Sequence, residues 1–228
     1  MNATDADQQA AIELAKRLEI DLMWKTANIE VDGITFPDTA TIVEGRAPAN
    51  MSVDDIVVVN NIKHAWQFLF DNVRYPLDWS YVSEYNRTLG EGLIRDAGAL
   101  RTIDVRIGGT DWIPVIPTLE TSHDLIEDLN LSVEDPVDRA IGAMCAIMRG
   151  QWFVDGNKRT ALMAANHILI HEGIGIFSVP PAGKPEFLTL LLTYYETGDA
   201  TALAEWCREY AVDYLPGGLS LHQQKTRK

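Results

Sequence analysis

Apolar positions recur at three, four and seven residue steps along most of the chain, and strict alternation is rare, so helices are expected to dominate. Ala11, Leu14, Leu18, Leu22 and Ile29 fall on one face and predict a helix through the first 30 residues. After the turn "EVDGITFP", Thr35 with Asp38 three residues on and Pro37 between them marks a helix start, which Gly45 ends. Ser52 and Asp55 repeat the signal ahead of "IVVVNNIKHAWQFLFDNV", a helix predicted to reach about Val73. Asp78 caps another, "WSYVSEYNRTLGEGLI".

The character changes from Arg101 to Pro117. In "RTIDVRIGGTDWIPVIP", β-branched residues flank Gly108-Gly109 and prolines follow, which predicts a hairpin. Helical spacing then resumes. Ser132 and Asp135 start "PVDRAIGAMCAIMRG", with Val137, Ala140, Ile141, Met144 and Met148 on one face. A short loop leads to a helix from about Asn157 to His171, ended by Gly173, and two more are predicted around Pro185 to Glu196 and Ala200 to Tyr214. No internal repeat, low-complexity run or linker interrupts the pattern. The expected architecture is one compact all-α domain with a single β-hairpin.

Composition narrows the function. With 228 residues, 46% hydrophobic and 23% charged, the chain has the balance of a globular protein with room for one good core or two small ones. A net charge of −14 argues against nucleic acid as a partner, because that binding needs a basic footprint. A small polyanion needs only a local cluster of donors and remains compatible. No apolar run approaches the roughly 18 residues needed for a bilayer span, so no membrane partner is expected. The acidic, amphipathic start "MNATDADQQAAIELAKRLEI" predicts no secretory leader. Cys145 and Cys207 lack CxxC spacing and lie in helical apolar segments, so they are expected to be buried thiols of a cytoplasmic protein. "QQKTRK" reads as a solvated terminus.

The chemistry concentrates in "RGQWFVDGNKRTALMAANHILI", Arg149 to Ile170. A glycine-containing loop entering a helix offers free N–H groups at the positive end of the helix dipole, which is an anion site in itself. Lys158 and Arg159 add positive charge, and the arginine fork suits phosphate oxygens. Asp155 is a hard oxygen ligand for Mg²⁺. The set fits a nucleotide polyphosphate with magnesium. Read on physics alone, a second account stays open: Asp155 or Asn157 caps the helix while Lys158 and Arg159 face solvent. His167 and His171, four apart on one helix, have zinc spacing but no third ligand nearby and read as a surface pair. His64 and His123 read as isolated structural residues, and Trp66, Trp206, Tyr194 and Tyr195 as core or helix-interface residues. Trp152 is expected to pack in the core or to line a groove.

"QWFVDGNKRTA" resembles the signature of the Fic/Doc (Fido) family. That signature is His-x-Phe-x-Asp/Glu-Gly-Asn-Gly-Arg-x-x-Arg in Fic and His-x-Phe-x-Asp-Ala-Asn-Lys-Arg in Doc. Phe153, Asp155, Gly156, Asn157 and Arg159 match, and Lys158 agrees with the Doc form. "TANIEVDGITFPDTATIVEG" resembles the inhibitory-helix region of many Fic proteins, Ser/Thr-x-x-x-Glu before a turn and short helix, with Thr26 and Glu30 on the pattern. "VRIGGTDWIP" resembles the flap hairpin beside the Fic site. The resemblance implies a Fic-type helical bundle with one β-hairpin flap. Its expected segments are an inhibitory-helix-like region over 1–50, a Fic core over 51–217 and a polar tail over 218–228.

It also implies roles. Asp155 would hold Mg²⁺, Gly156, Asn157, Lys158 and Arg159 would cradle the phosphates of ATP, and Phe153 would be a buried anchor. The flap residues Val105, Arg106, Ile107, Gly108 and Gly109 would align a protein target by strand addition. Thr26 and Glu30 would be regulatory. The family's usual reaction moves AMP from ATP to a protein Ser, Thr or Tyr hydroxyl, whereas Doc-like members move the γ-phosphoryl group. Two positions depart from the pattern. Gln151 stands where the family has its catalytic histidine, and a neutral amide cannot take a proton. Leu162 stands where Fic has a second arginine, so Glu30 must find another cation, Lys158 or Arg159. The implied function is AMP transfer or a related nucleotidyl or phosphoryl transfer with altered chemistry. The alternatives are an inactive nucleotide-binding or partner-regulating module, or a hydrolase that removes AMP with Glu30 and Gln151. Homo-oligomerisation is left open.

Overall fold

A computed structural model describes residues 4–49 and 51–226. Residues 1–3, 50 and 227–228, which fall in the segments 1–50 and 218–228 drawn from the sequence, lie outside the described residues. The predicted helix starts form as read wherever a side-chain cap defines them. Thr35 caps α3 (Phe36–Val43), and the Asp38 carboxylate returns the bond to the Thr35 N–H at 3.1 Å. Ser52 and Asp55 do the same for α4 (Val53–Asn72), Asp78 caps α5 (Trp79–Gly90), and Asp135 accepts from Val137 and Asp138 to start α7 (Pro136–Gly150). Each cap satisfies N–H groups that the helix itself cannot.

Several expectations about the elements are corrected. The single helix over the first 30 residues is two, α1 (Asp5–Arg17) and α2 (Glu19–Asn28), broken at Leu18. An unpredicted helix, α6 (Leu119–Ser132), begins at a Thr118–Thr121 capping box and ends on Ser132, which reads from sequence as part of the next start. The helix expected over 200–214 is a short α10 (Thr201–Trp206), a π turn and a strand, β2 (Val212–Tyr214). That strand pairs antiparallel with β1 (Gly175–Phe177), Ile176 opposite Asp213. Gly175 is required there, since a Cβ on it would lie 2.0 Å from the Asp213 carbonyl oxygen. The polar end carries a short helix, α11 (Leu221–Thr226).

Another correction concerns residues 101–117. They turn at Gly108-Gly109 as expected, but among the described residues no ladder of hydrogen bonds joins the two arms. The carbonyls of Ile103, Pro114 and Val115, at the foot of the arms, accept instead from the buried Arg101 guanidinium. Pro114 and Pro117 have no N–H to give a ladder.

Helix α8 (Asn157–His171) runs through the middle of the molecule, with 13 of its 15 residues buried, as its apolar circumference requires. It packs against α5, α7 and β1, with α1, α2 and α4 completing its surroundings. Its buried polar residues are spent on the fold. Asn166 exchanges hydrogen bonds with both the N–H and the carbonyl of Phe177 (2.8 and 2.9 Å), fixing β1. His167 is fully buried rather than part of a surface pair. Its Nε2–H donates to the Tyr75 carbonyl (2.8 Å), leaving Nδ1 to accept from the Tyr85 hydroxyl (2.7 Å). Burial keeps it neutral, pulling its pKa to about 4. His171 turns to the Val73 carbonyl. Cys145 and Cys207 are free and buried, and burial raises the Cys145 thiol to about 12. Helix α9 (Lys184–Thr197) lies beyond the flap tip. No described helix is long and apolar enough to cross a membrane.

Candidate active site

Residues 151–157 form the turn between α7 and α8. Gln151 ends α7 with φ 44° and ψ 58°, the one positive φ outside glycine among the described residues. Its Nε2 donates back to the Met148 carbonyl at 2.6 Å, and its Oε1 accepts from Asn157 Nδ2 at 3.1 Å. Asn157 is buried and holds the turn from inside. Its Nδ2 also donates to the Phe153 carbonyl (2.8 Å), and its Oδ1 accepts from the Phe153 N–H (3.0 Å). Phe153 and Trp152 anchor the turn in the core against Trp79, at ring separations of 5.9 and 5.7 Å. Trp152 thus packs, as expected, while also bordering the groove beneath Pro114–Pro117.

Gly156 opens α8 in the left-handed region, φ 76°, and no side chain caps the helix. The capped-helix account of this stretch is therefore overturned: Asn157 serves Phe153, and Asp155 accepts from the adjacent Gly156 N–H. The first-turn N–H groups keep their affinity for an anion. Arg159 does not face solvent either. Its side chain is 5% exposed, and its Nε and Nη1 have no acceptor among the described residues. Asp155, 65% exposed and 3.9 Å from Arg159 Nη2, leaves carboxylate oxygens open to solvent. Buried unpaired guanidinium donors carry a high desolvation cost, which phosphate oxygens relieve. An exposed carboxylate beside them suits a divalent cation. These residues fit a magnesium-bound polyphosphate.

Thr26 and Glu30, for which the resemblance implies a regulatory role, lie in different settings. Thr26 is buried on α2, and Glu30 lies in the turn after that helix. Glu30 Oε1 is 3.2 Å from Lys158 Nζ, so the motif lysine supplies the cation that Leu162, buried in the core, cannot. Lys184 pins the end of α2 by donating to the Asn28 carbonyl. The Tyr195 phenol is held protonated, chiefly by burial and then by the charge of Glu30.

Of the flap residues, Arg106, Gly108 and Gly109 are exposed and Val105 and Ile107 half-buried. The tip leans on α9, where a Cβ at Gly109 would meet Leu192 at 3.4 Å. Trp112 stacks on Arg149, 3.7 Å from guanidinium carbon to ring centre. Sequence reading missed Arg101 and Asn86. The Asn86 Nδ2 donates to the Asp155 carbonyl (2.9 Å) and the Thr160 hydroxyl (3.1 Å), fixing the loop from α5. Neither residue has a local signal, since, apart from Ile103 beside Arg101, their partners lie at least a dozen residues away. His123 is not isolated: it sits with Asp124 and Glu127 in an exposed cluster.

Residues 76–169 match the model of the Fic/DOC family. A protein adenylyltransferase fic-1 of Caenorhabditis briggsae is 31% identical over 180 residues, 74% of this chain and 35% of the relative. Its Caenorhabditis elegans counterpart is 31% identical over 113 residues, 47% and 22%. The chain thus spans about a third or less of these relatives. Among solved structures, Fic-1 (residues 134–508) of C. elegans aligns with a TM-score of 0.74 at 21% identity, over 87% of this chain and 62% of that one. A Fic domain containing signaling protein of Bacteroides thetaiotaomicron aligns at 0.67 and 18%, over 83% and 75%. The resemblance to the Fic/Doc family is borne out, by sequence over residues 76–169 and by fold across most of the chain.

Proposed function

We propose that the chain binds ATP with Mg²⁺ at the start of α8 and transfers AMP to a Ser, Thr or Tyr hydroxyl of a protein target. The observation that carries this reading is Arg159, a buried guanidinium with two unpaired donors beside an uncapped helix start. Similarity to protein adenylyltransferases favours AMP over the γ-phosphoryl group. Bound MgATP would supply an electrophilic α-phosphorus with pyrophosphate as the leaving group. Asp155 would hold the metal, and Arg159, Lys158 and the backbone of Gly156 and Asn157 would hold phosphate oxygens. Residues 105–109, whose backbone groups have no ladder partner among the described residues, would align the target strand. Glu30 would restrain the site by engaging Lys158. Two free, buried thiols support a cytoplasmic setting.

A second reading rests on Gln151. Both ends of its amide are committed to the turn, which favours a nucleotide-binding module that regulates a partner without transfer. Incubation of the protein and candidate targets with ATP labelled at the α or the γ phosphate separates the two. Protein-bound α label is expected. Label from γ alone would mean phosphoryl transfer, and ATP binding without any label would establish the module.

A further inference from the structure

We propose that Arg101 is the positioning residue that joins the flap to the 150–157 turn as one mechanical unit. The flap needs such a device because its arms share no ladder, and two extended segments without one have little to hold them together. Arg101 is 1% exposed and faces carbonyls rather than a carboxylate. Its Nη1 donates to Ile103 O (2.7 Å) on the first arm, and its Nη2 to Pro114 O (3.0 Å) and Val115 O (2.6 Å) on the second. Its Nε donates to Gln151 O at 2.5 Å, with Gly150 O a further 3.5 Å from Nη2. The Arg101 backbone N–H adds a bond to Trp152 O at 2.9 Å.

One planar fork therefore spans three segments: both arms of the flap and the end of α7. Gln151, held in a left-handed conformation that a side chain disfavours, has its carbonyl fixed by that fork. Lifting either arm pulls on the group that holds Gln151, and disturbing Gln151 frees the foot of the flap. A lysine has a single nitrogen and cannot reach all three segments, so the arrangement depends on the guanidinium. What the coupling does to a docked target rests on the transfer reading above; the coupling itself does not.

The test needs no catalysis. Trypsin cleaves after Arg106 on the exposed flap only as fast as that segment opens, and exchange of the Gln151 and Phe153 amides reports the turn. In the full chain, Arg101→Met is expected to raise both rates about tenfold or more, because it removes several charge-assisted bonds at once. Arg101→Lys should fall between wild type and Met. Ile62→Ala, a cavity in the core helix α4, which makes none of the Arg101 bonds, serves as a control for general destabilisation and should raise neither rate comparably. Flap cleavage in Arg101→Met no faster than in Ile62→Ala, or a flap that loosens while the turn stays protected, would overturn the proposal. If Arg101→Met does not fold, Arg101→Lys against Ile62→Ala decides by the same two rates.

Discussion

Gln151 is where the site's binding and its chemistry separate. Its backbone does what this turn requires, ending α7 in the left-handed region and offering a carbonyl to Arg101. Its side chain, at the position where the resemblance implies a catalytic histidine, is bonded inward to Met148 and Asn157. A general base is worth about 10²–10⁴ in rate, and neither this amide nor the protonated Tyr195 phenol beside it can take a proton near neutral pH. Gln151→His is therefore expected to raise AMP transfer by about 10²-fold if the glutamine is only a lost base, measured as initial rate of α label incorporation. A fall in the rate would show that the amide has a catalytic part of its own. Because the variant loses the Asn157 bond, a melting temperature reported with the rate separates chemistry from stability. The residue types of the motif were readable from sequence, and so was the need for Glu30 to find a new cation. The inward turn of Gln151 was not, because its partners are set by the packing of the turn.

At the scale of elements, legibility follows locality. The starts of α3, α4, α5 and α7 are written in residues two or three apart; the first three formed as read, and α7 formed at Asp135, with Ser132 left to α6. Helix α6 has an equally local box at Thr118, but it buries only Ser122 and Ile126, so no apolar face announces it. The strands β1 and β2 are three residues each and are fixed by Asn166 and by each other, none of which leaves a periodic trace. His167 looked like a surface residue because its partners, Tyr75 and Tyr85, lie far back in the chain. The same reasoning separates the two duties of α2. Its buried residues Leu22, Met23, Thr26 and Ala27 hold it to the body, while Glu30 beyond its end meets Lys158 in a partly exposed pair. Such pairs contribute about 0–1 kcal/mol to stability. Glu30→Ala is accordingly expected to leave the unfolding free energy within about 1 kcal/mol of wild type. It should nonetheless tighten MgATP binding several-fold by freeing Lys158, as read by isothermal titration calorimetry. Unchanged affinity would remove Glu30 from the regulation of this site.

Across the whole molecule, two buried groups set opposing responses to acid. His167, in the central helix, is pulled from 6.5 to about 4 by burial. As pH falls through that window the unfolded chain takes the proton first, so this residue's contribution is intact above about 6.5 and is lost toward 4. Asp213, on β2, is pushed from 3.8 to about 6, chiefly by burial, with Lys25 opposing and Asp21 adding to it. Here the folded chain takes the proton first, so stability rises as pH falls from about 6 to 3.8. Each shift corresponds to roughly 3 kcal/mol at full effect, and over their shared window the two act in opposite directions. Over mild acid these two contributions offset each other, one on α8 and one on the strand that α8 helps to fix through Asn166 and β1. Asp213→Asn removes one half of the pair. The difference in unfolding free energy between wild type and variant, from urea melts at pH 7, 6, 5 and 4, cancels every group they share. That difference is expected to move in favour of wild type by roughly 2–3 kcal/mol from pH 7 to pH 4, while the variant alone loses stability steadily along the His167 titration. A difference that stays constant with pH would mean that Asp213 titrates alike in the folded and unfolded chains, and that His167 acts without a counterweight.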